Sequence, residues 1–275
     1  MAVSDDEDLS YRRCSVLGIP IAAIDYETAV SEIIYAAEQR RPFAVSALAV
    51  HGVMTGVQDL EQKYRLRNFD MLCPDGQPVR WALNILHGCA LSDRVYGPEL
   101  MLRICALAAK RGLPIFLFGS TKETLADLSA NLQRRVPGLI IAGAHPSRFR
   151  RATLEEVEAD AQVIRNSGAR IVFVGLGCPR QETWVYEMRR RLNMPLVAVG
   201  AAFTFHAGAL PIAPPLLQRF GLEWLFRLAS EPRRLWRRYL LLNPTYLVCM
   251  ARQWLSRGRW EGRDPKPPSA EQRFG

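Results

Sequence analysis

Between residues 43 and 199, short apolar runs alternate with longer stretches in which apolar residues recur every three or four positions. The runs at 43–50, 69–73, 114–118, 138–142, 169–174 and 195–199 read as strands. The stretches at 55–68, 99–111, 122–135, 153–166 and 181–192 carry helical spacing. Strand–helix alternation of this kind predicts an α/β fold: a Rossmann-like, mostly parallel sheet with helices on both faces.

The alternation stops near residue 210. Beyond it lie four of the six tryptophans (Trp224, Trp236, Trp254 and Trp260), and six arginines fall between 219 and 238 against only Glu223 and Glu231. That shift predicts a separate helical appendage over 211–261, appended to a core over 14–210. Residues 1–13 and 262–275 are polar and aperiodic and read as disordered ends. No internal repeat is present.

The chain has 275 residues, 49% hydrophobic and 23% charged, with a net charge of +9. It is long enough for a sizeable core, and its basic balance points to an acidic partner: nucleotide phosphates, nucleic acid or an anionic membrane. The six cysteines, at 14, 73, 89, 105, 178 and 249, form no CxxC pair and no cluster with histidine at zinc spacing. They read as free thiols in a reducing cytoplasm. The acidic start, MAVSDDEDLS, lacks the basic and apolar stretches of a signal peptide. No apolar run approaches the ~20 residues that span a bilayer.

In open α/β sheets, ligands gather beyond the carboxyl ends of the strands. Four segments project there: Pro74-Asp75-Gly76-Gln77, Gly119-Ser120-Thr121, Gly175-Leu176-Gly177 and Gly200-Ala201-Ala202. The third is not a dinucleotide fingerprint, because Arg180 stands where GxGxxG needs its last glycine. A nicotinamide enzyme is therefore disfavoured. Asp75 has two readings, an Asx turn or helix cap and a general base. His51 and His206 near strand ends read first as structural histidines, and Arg94 as a loop charge or a phosphate ligand. Arg227, Arg234 and Arg237 share one face if their helix is continuous, although Pro232 can start a second helix. With Leu225, Trp236, Tyr239 and Leu240 beside them, they suit a membrane interface or a lipid pyrophosphate. The plainer alternative is a solvated basic helix. No nucleic-acid-binding motif accompanies the charge.

Six segments in order then carry a resemblance: Asp75-Gly76-Gln77-Pro78-Val79-Arg80-Trp81, Asp93-Arg94-Val95-Tyr96-Gly97-Pro98, Phe116-Leu117-Phe118-Gly119, Gly175-Leu176-Gly177-Cys178-Pro179-Arg180-Gln181-Glu182, Val199-Gly200-Ala201-Ala202-Phe203, and Gly221-Leu222-Glu223-Trp224-Leu225-Phe226-Arg227 with Glu231-Pro232-Arg233-Arg234. Over about residues 16–255 the chain resembles the bacterial WecG/TagA/CpsF glycosyltransferases.

The resemblance implies inverting, metal-independent transfer of a hexose or N-acetylhexosamine, such as N-acetylmannosamine, from a UDP-sugar. The implied acceptor is a sugar on a polyprenyl diphosphate, at the inner face of the cytoplasmic membrane. No cofactor is implied. Asp75 matches the family's proposed base, Gln181 its glutamine at the nucleotide-sugar site, and Arg94 an arginine near the substrates. Arg227, Arg234 and Arg237 match appendage arginines that face the diphosphate. Gly175 and Gly177 are read as making room for phosphate or sugar, and Gln181 as reaching into the pocket. The chain departs from the pattern at Ala47-Leu48-Ala49, where many members carry Thr-x-Asn. The missing hydroxyl and amide bring Ser46 and His51 forward as substitutes, and His51 joins the substrate-binding candidates. The same departure motivates an alternative: a catalytically altered, membrane-associated protein that binds lipid diphosphate. Donor sugar, acceptor sugar and oligomeric state stay open.

Overall fold

The computed structural model describes residues 10–211, 213, 214, 216, 217 and 220–275, with the backbone alone for 234, 237 and 238. Six strands form one parallel sheet in the order β4-β3-β8-β7-β5-β6: β3 Phe43–Leu48, β4 Met71–Pro74, β5 Ile115–Phe118, β6 Ile141–His145, β7 Ile171–Val174 and β8 Pro195–Ala198. Ahead of them, β1 Arg12–Val16 and β2 Ile19–Ala23 make a two-stranded antiparallel hairpin turned at Leu17-Gly18.

Side chains along each strand divide between two cores. Ala44, Leu48, Phe116, Phe118, Val172, Val174 and Leu196 face one layer, and Phe43, Val45, Ile115, Leu117, Ile171, Phe173 and Val197 face the other. A parallel sheet buried on both faces needs apolar residues at every position, which explains the unbroken apolar runs. One layer is completed by α1 Tyr26–Glu38, α5 Gly97–Lys110, α6 Lys122–Arg135 and the short α9 Ala202–His206. The other takes α2 Val50–Gln58, α4 Gln77–His87, α7 Leu154–Asn166, α8 Arg180–Met188 and the hairpin.

Besides β6, which runs over Ile141–His145 rather than 138–142, and the hairpin, α1 and α4, which the sequence reading did not contain, the structure differs from that reading at three places. The helix expected over 55–68 is two helices, α2 and α3 Leu60–Arg67. Asp59 divides them, because its carboxylate accepts from the backbone N–H groups of Glu61 and Gln62 and so caps α3. The appendage comprises α10 Glu223–Ser230, α11 Pro232–Arg237, a π-helical turn at Arg238–Leu242 and α12 Asn243–Leu255. Arg227 therefore lies on α10, while Arg234 and Arg237 lie on α11, so the three do not share a continuous helix. Pro232 has no N–H for the ladder and opens the second helix instead.

The third difference is the tail. Residues 262–275 run over the core rather than standing free of it. Lys266 N–H donates to Leu60 O at 3.0 Å, Ala152 N–H to Arg273 O at 2.8 Å, and Gln272 N–H to Glu187 Oε1 at 2.6 Å. Polar composition misled the reading because backbone and carboxylate hydrogen bonds, rather than apolar burial, hold this segment.

Candidate active site

Asp75 follows β4 directly, and two hydrogen bonds fix its backbone. Its N–H donates to Leu48 O at 3.3 Å, and Val95 N–H donates to Pro74 O at 2.9 Å. The helix-cap reading fails, since Gly76 is the N-cap of α4 and no side chain caps it. The Asp75 carboxylate instead accepts from Gly97 N–H at 3.2 Å, across 22 residues. A side chain at 97 would meet Ala47 Cβ at 3.2 Å, so glycine permits this approach. Burial pushes the Asp75 carboxyl up from 3.8 to about 6, and Glu223 adds to the rise, while Arg94, the Gly97 N–H and Arg227 oppose it. At neutral pH the group is mostly ionised and close to the proton affinity that suits a base.

Two cavities meet at this carboxylate. One is walled by Asp75, Gln77, Arg94, Tyr96, Glu223 and Arg227. The other, larger and open to solvent, runs along the sheet's carboxyl edge past Ala47, Gly175, Gly177, Gln181 and Gly200. Ala49, His51, Asp75, Tyr96, Arg227 and Leu242 line both. The fold thus brings Asp75, Arg94, Gln181, His51 and Arg227 to one connected cleft. The side chains of Arg234 and Arg237 lie outside the described residues.

Each candidate has its own geometry. Arg94 is buried, lies 4.3 Å over the Tyr96 ring, and donates through Nη2 to Glu223 Oε2 at 2.5 Å. Arg227 stands 5.5 Å from the Phe205 ring. Gln181 lines the larger cavity, but its amide is turned into the wall rather than into the open space. Its Nε2 donates to Glu182 Oε1 at 2.8 Å, Ser46 Oγ donates to the same oxygen at 2.9 Å, and its Oε1 lies against Gly200. Glu182 is fully buried there, and burial raises its carboxyl above the ordinary range. Gly175 also differs from expectation. A Cβ on it would lie 2.4 Å from Phe203, so this glycine makes room for α9. Gly177 has φ +79° and nothing within 4 Å of such a Cβ, so it keeps the reading as an open turn facing the cleft. His206 is structural: it is buried, with Nε2 2.9 Å from Pro98 O. Among the described residues, no three His, Cys, Asp or Glu side chains converge closely enough to hold a metal ion.

The profile of the WecG/TagA/CpsF glycosyl transferase family matches residues 14–259, nearly the whole chain. The chain belongs to that family. It is a glycosyltransferase family of cell-surface polysaccharide synthesis, which generally joins a nucleotide-sugar donor to a lipid-linked acceptor. Within this WecG/TagA/CpsF glycosyltransferase, Ala47 and Ala49 line the larger cavity. Sequence reasoning passed over Glu223 and Tyr96, and Ser46, brought forward there as a substitute contact, is instead fully buried and donates to Glu182. Glu223 did carry a signal, being one of only two carboxylates in an arginine-rich stretch and one helical turn before Arg227.

Proposed function

We propose that this protein transfers a hexose or N-acetylhexosamine from a UDP-sugar to a sugar on a polyprenyl diphosphate, with inversion and without a bound metal. The observation that carries the reading is the Asp75 carboxylate, its proton affinity raised by burial to about 6, where the cleft along the sheet's carboxyl edge and an arginine-lined cavity join. In the proposed reaction, the acceptor hydroxyl oxygen attacks the anomeric carbon and gives its proton to Asp75. The bond from that carbon to the diphosphate oxygen breaks, and the electron pair leaves with UDP. Arg94 and Arg227 stabilise the growing negative charge.

The appendage supports a location at the inner face of the cytoplasmic membrane. Leu225, Trp236, Leu240, Leu241, Leu247, Val248 and Trp254 are exposed on it beside its arginines. Such a surface suits lipid headgroups and acyl chains. Among the described residues, no helix is long and apolar enough to cross a membrane.

The test is a panel of radiolabelled UDP-sugars with short-chain polyprenyl-diphosphate sugars. One donor should be turned over, with an inverted product, and D75N should lose about 10²–10⁴ in rate, as removal of a general base does. Near-normal turnover by D75N rejects the assignment. The methyl-lined wall at Ala47 and Ala49 favours one second reading, a lipid-diphosphate-binding protein without transfer. Binding of the acceptor with no turnover of any donor would select it.

A further inference from the structure

A cleft that receives diphosphates should exclude buried carboxylates, yet Glu223 sits in its wall. Its Oε2 is 2.5 Å from Arg94 Nη2, and the two side chains are only 10% and 9% exposed. The bond joins residues 129 positions apart and links the loop before α5 to α10. Gly221 brings the chain into α10 tightly against α4, where a Cβ would lie 2.9 Å from Trp81. One turn beyond Glu223, Arg227 faces the same cleft. Charges around Asp75 therefore alternate, with Arg94 and Arg227 positive and Glu223 negative. Among the described residues, the other titratable groups around it include Cys73 on β4, Tyr26 on α1, Tyr96 before α5, His51 on α2 and Tyr239 in the π-helical turn. Burial pushes Cys73, Tyr26 and Tyr96 upward, so these three stay neutral near pH 7.

We infer that Glu223 is a positioning residue, whose ion pair with Arg94 ties the docking of α10 to the arrangement of charges around Asp75. Its catalytic consequence rests on the transferase reading above. Glu223 touches no reacting atom. It holds Arg94 away from full neutralisation of Asp75 and adds a negative charge of its own, so the base keeps its proton affinity.

The test compares wild type with E223Q and E223D. The Asp75 carboxyl is titrated by ¹³C NMR on aspartate-labelled protein, and amide exchange is followed over 223–230. In E223Q the Asp75 midpoint should move down toward the ordinary carboxylate range, because a repelling charge is gone and Arg94 is released. Exchange over 223–230 should quicken by about tenfold as α10 loosens. Turnover should fall by about 100-fold, the scale of a misplaced charge-stabilising group, with KM for the UDP-sugar little changed. E223D keeps the charge and should restore most of the midpoint. If E223Q does not fold, E223D carries the test: its shorter side chain stretches the ion pair with Arg94, so exchange over 223–230 should still quicken, and unchanged exchange overturns the inference. An unmoved Asp75 midpoint in folded E223Q overturns the inference. If wild type transfers no sugar, the transfer reading alone falls, since titration and exchange still judge the ion pair.

Discussion

Replacing Asp75 with asparagine should make the protein more stable while removing its transfer activity. The side chain keeps its shape, and its oxygen still accepts from Gly97 N–H. What disappears is a carboxylate that the fold holds at about 6 against an ordinary 3.8. Below pH 3.8 both folded and unfolded chains are protonated there, and the group is neutral for stability. Between 3.8 and about 6 the unfolded chain releases a proton that the folded chain retains, so stability falls as pH rises through this window. Above it the full penalty applies. At about 1.4 kcal/mol per pH unit, that penalty is about 3 kcal/mol. Asparagine avoids it, so D75N should match wild type at pH 4 and exceed it by about 3 kcal/mol at pH 7. For a chain of this size the gain corresponds to a melting temperature higher by roughly 6–10 °C. Urea unfolding of both proteins at pH 4, 5, 6 and 7 gives the answer directly. A D75N protein that is less stable at pH 7, or a gap that ignores pH, would refute the buried-base reasoning.

Three further outcomes follow from the packing. G175A should cost about 1–3 kcal/mol by thermal melting, because its methyl would stand 2.4 Å from Phe203. Q253A should cost about 2–3 kcal/mol in urea unfolding, since the buried Gln253 amide accepts from Leu17 N–H and donates to Ser15 O and Gly258 O. The double variant L240D/L241D changes two exposed residues and should melt like wild type. It should nevertheless pellet far less with anionic vesicles, and undiminished pelleting would reject the interfacial role of the appendage.

The inner strands were legible because they are buried on both faces and so are almost wholly apolar, whereas the part-exposed edge strand β6 was placed three residues early. Helices α5, α6, α7 and α8 were legible for a related reason, since each lays one apolar stripe on that sheet. The Asp59 break was not, because a capping aspartate inside a helical pattern looks like any solvated charge. The ordered tail was also hidden, as its partners Leu60, Ala152 and Glu187 lie far away in sequence.

By itself the sequence determined the α/β layering, the helical appendage and the family motifs, with Asp75 and Arg94 among them. These are local matters: hydrophobic period, turn chemistry and motif order are written in neighbouring residues. Only the tertiary structure decided that Asp75 bonds Gly97 rather than capping a helix, that Gln181 turns its amide into the wall, and that Glu223 reaches Arg94. Each depends on which strand ends and helices fold against one another. Side-chain charge and reach are set by residue type, but the neighbours that give them meaning are chosen by packing, across 22 residues for Asp75 and Gly97 and across 129 for Arg94 and Glu223.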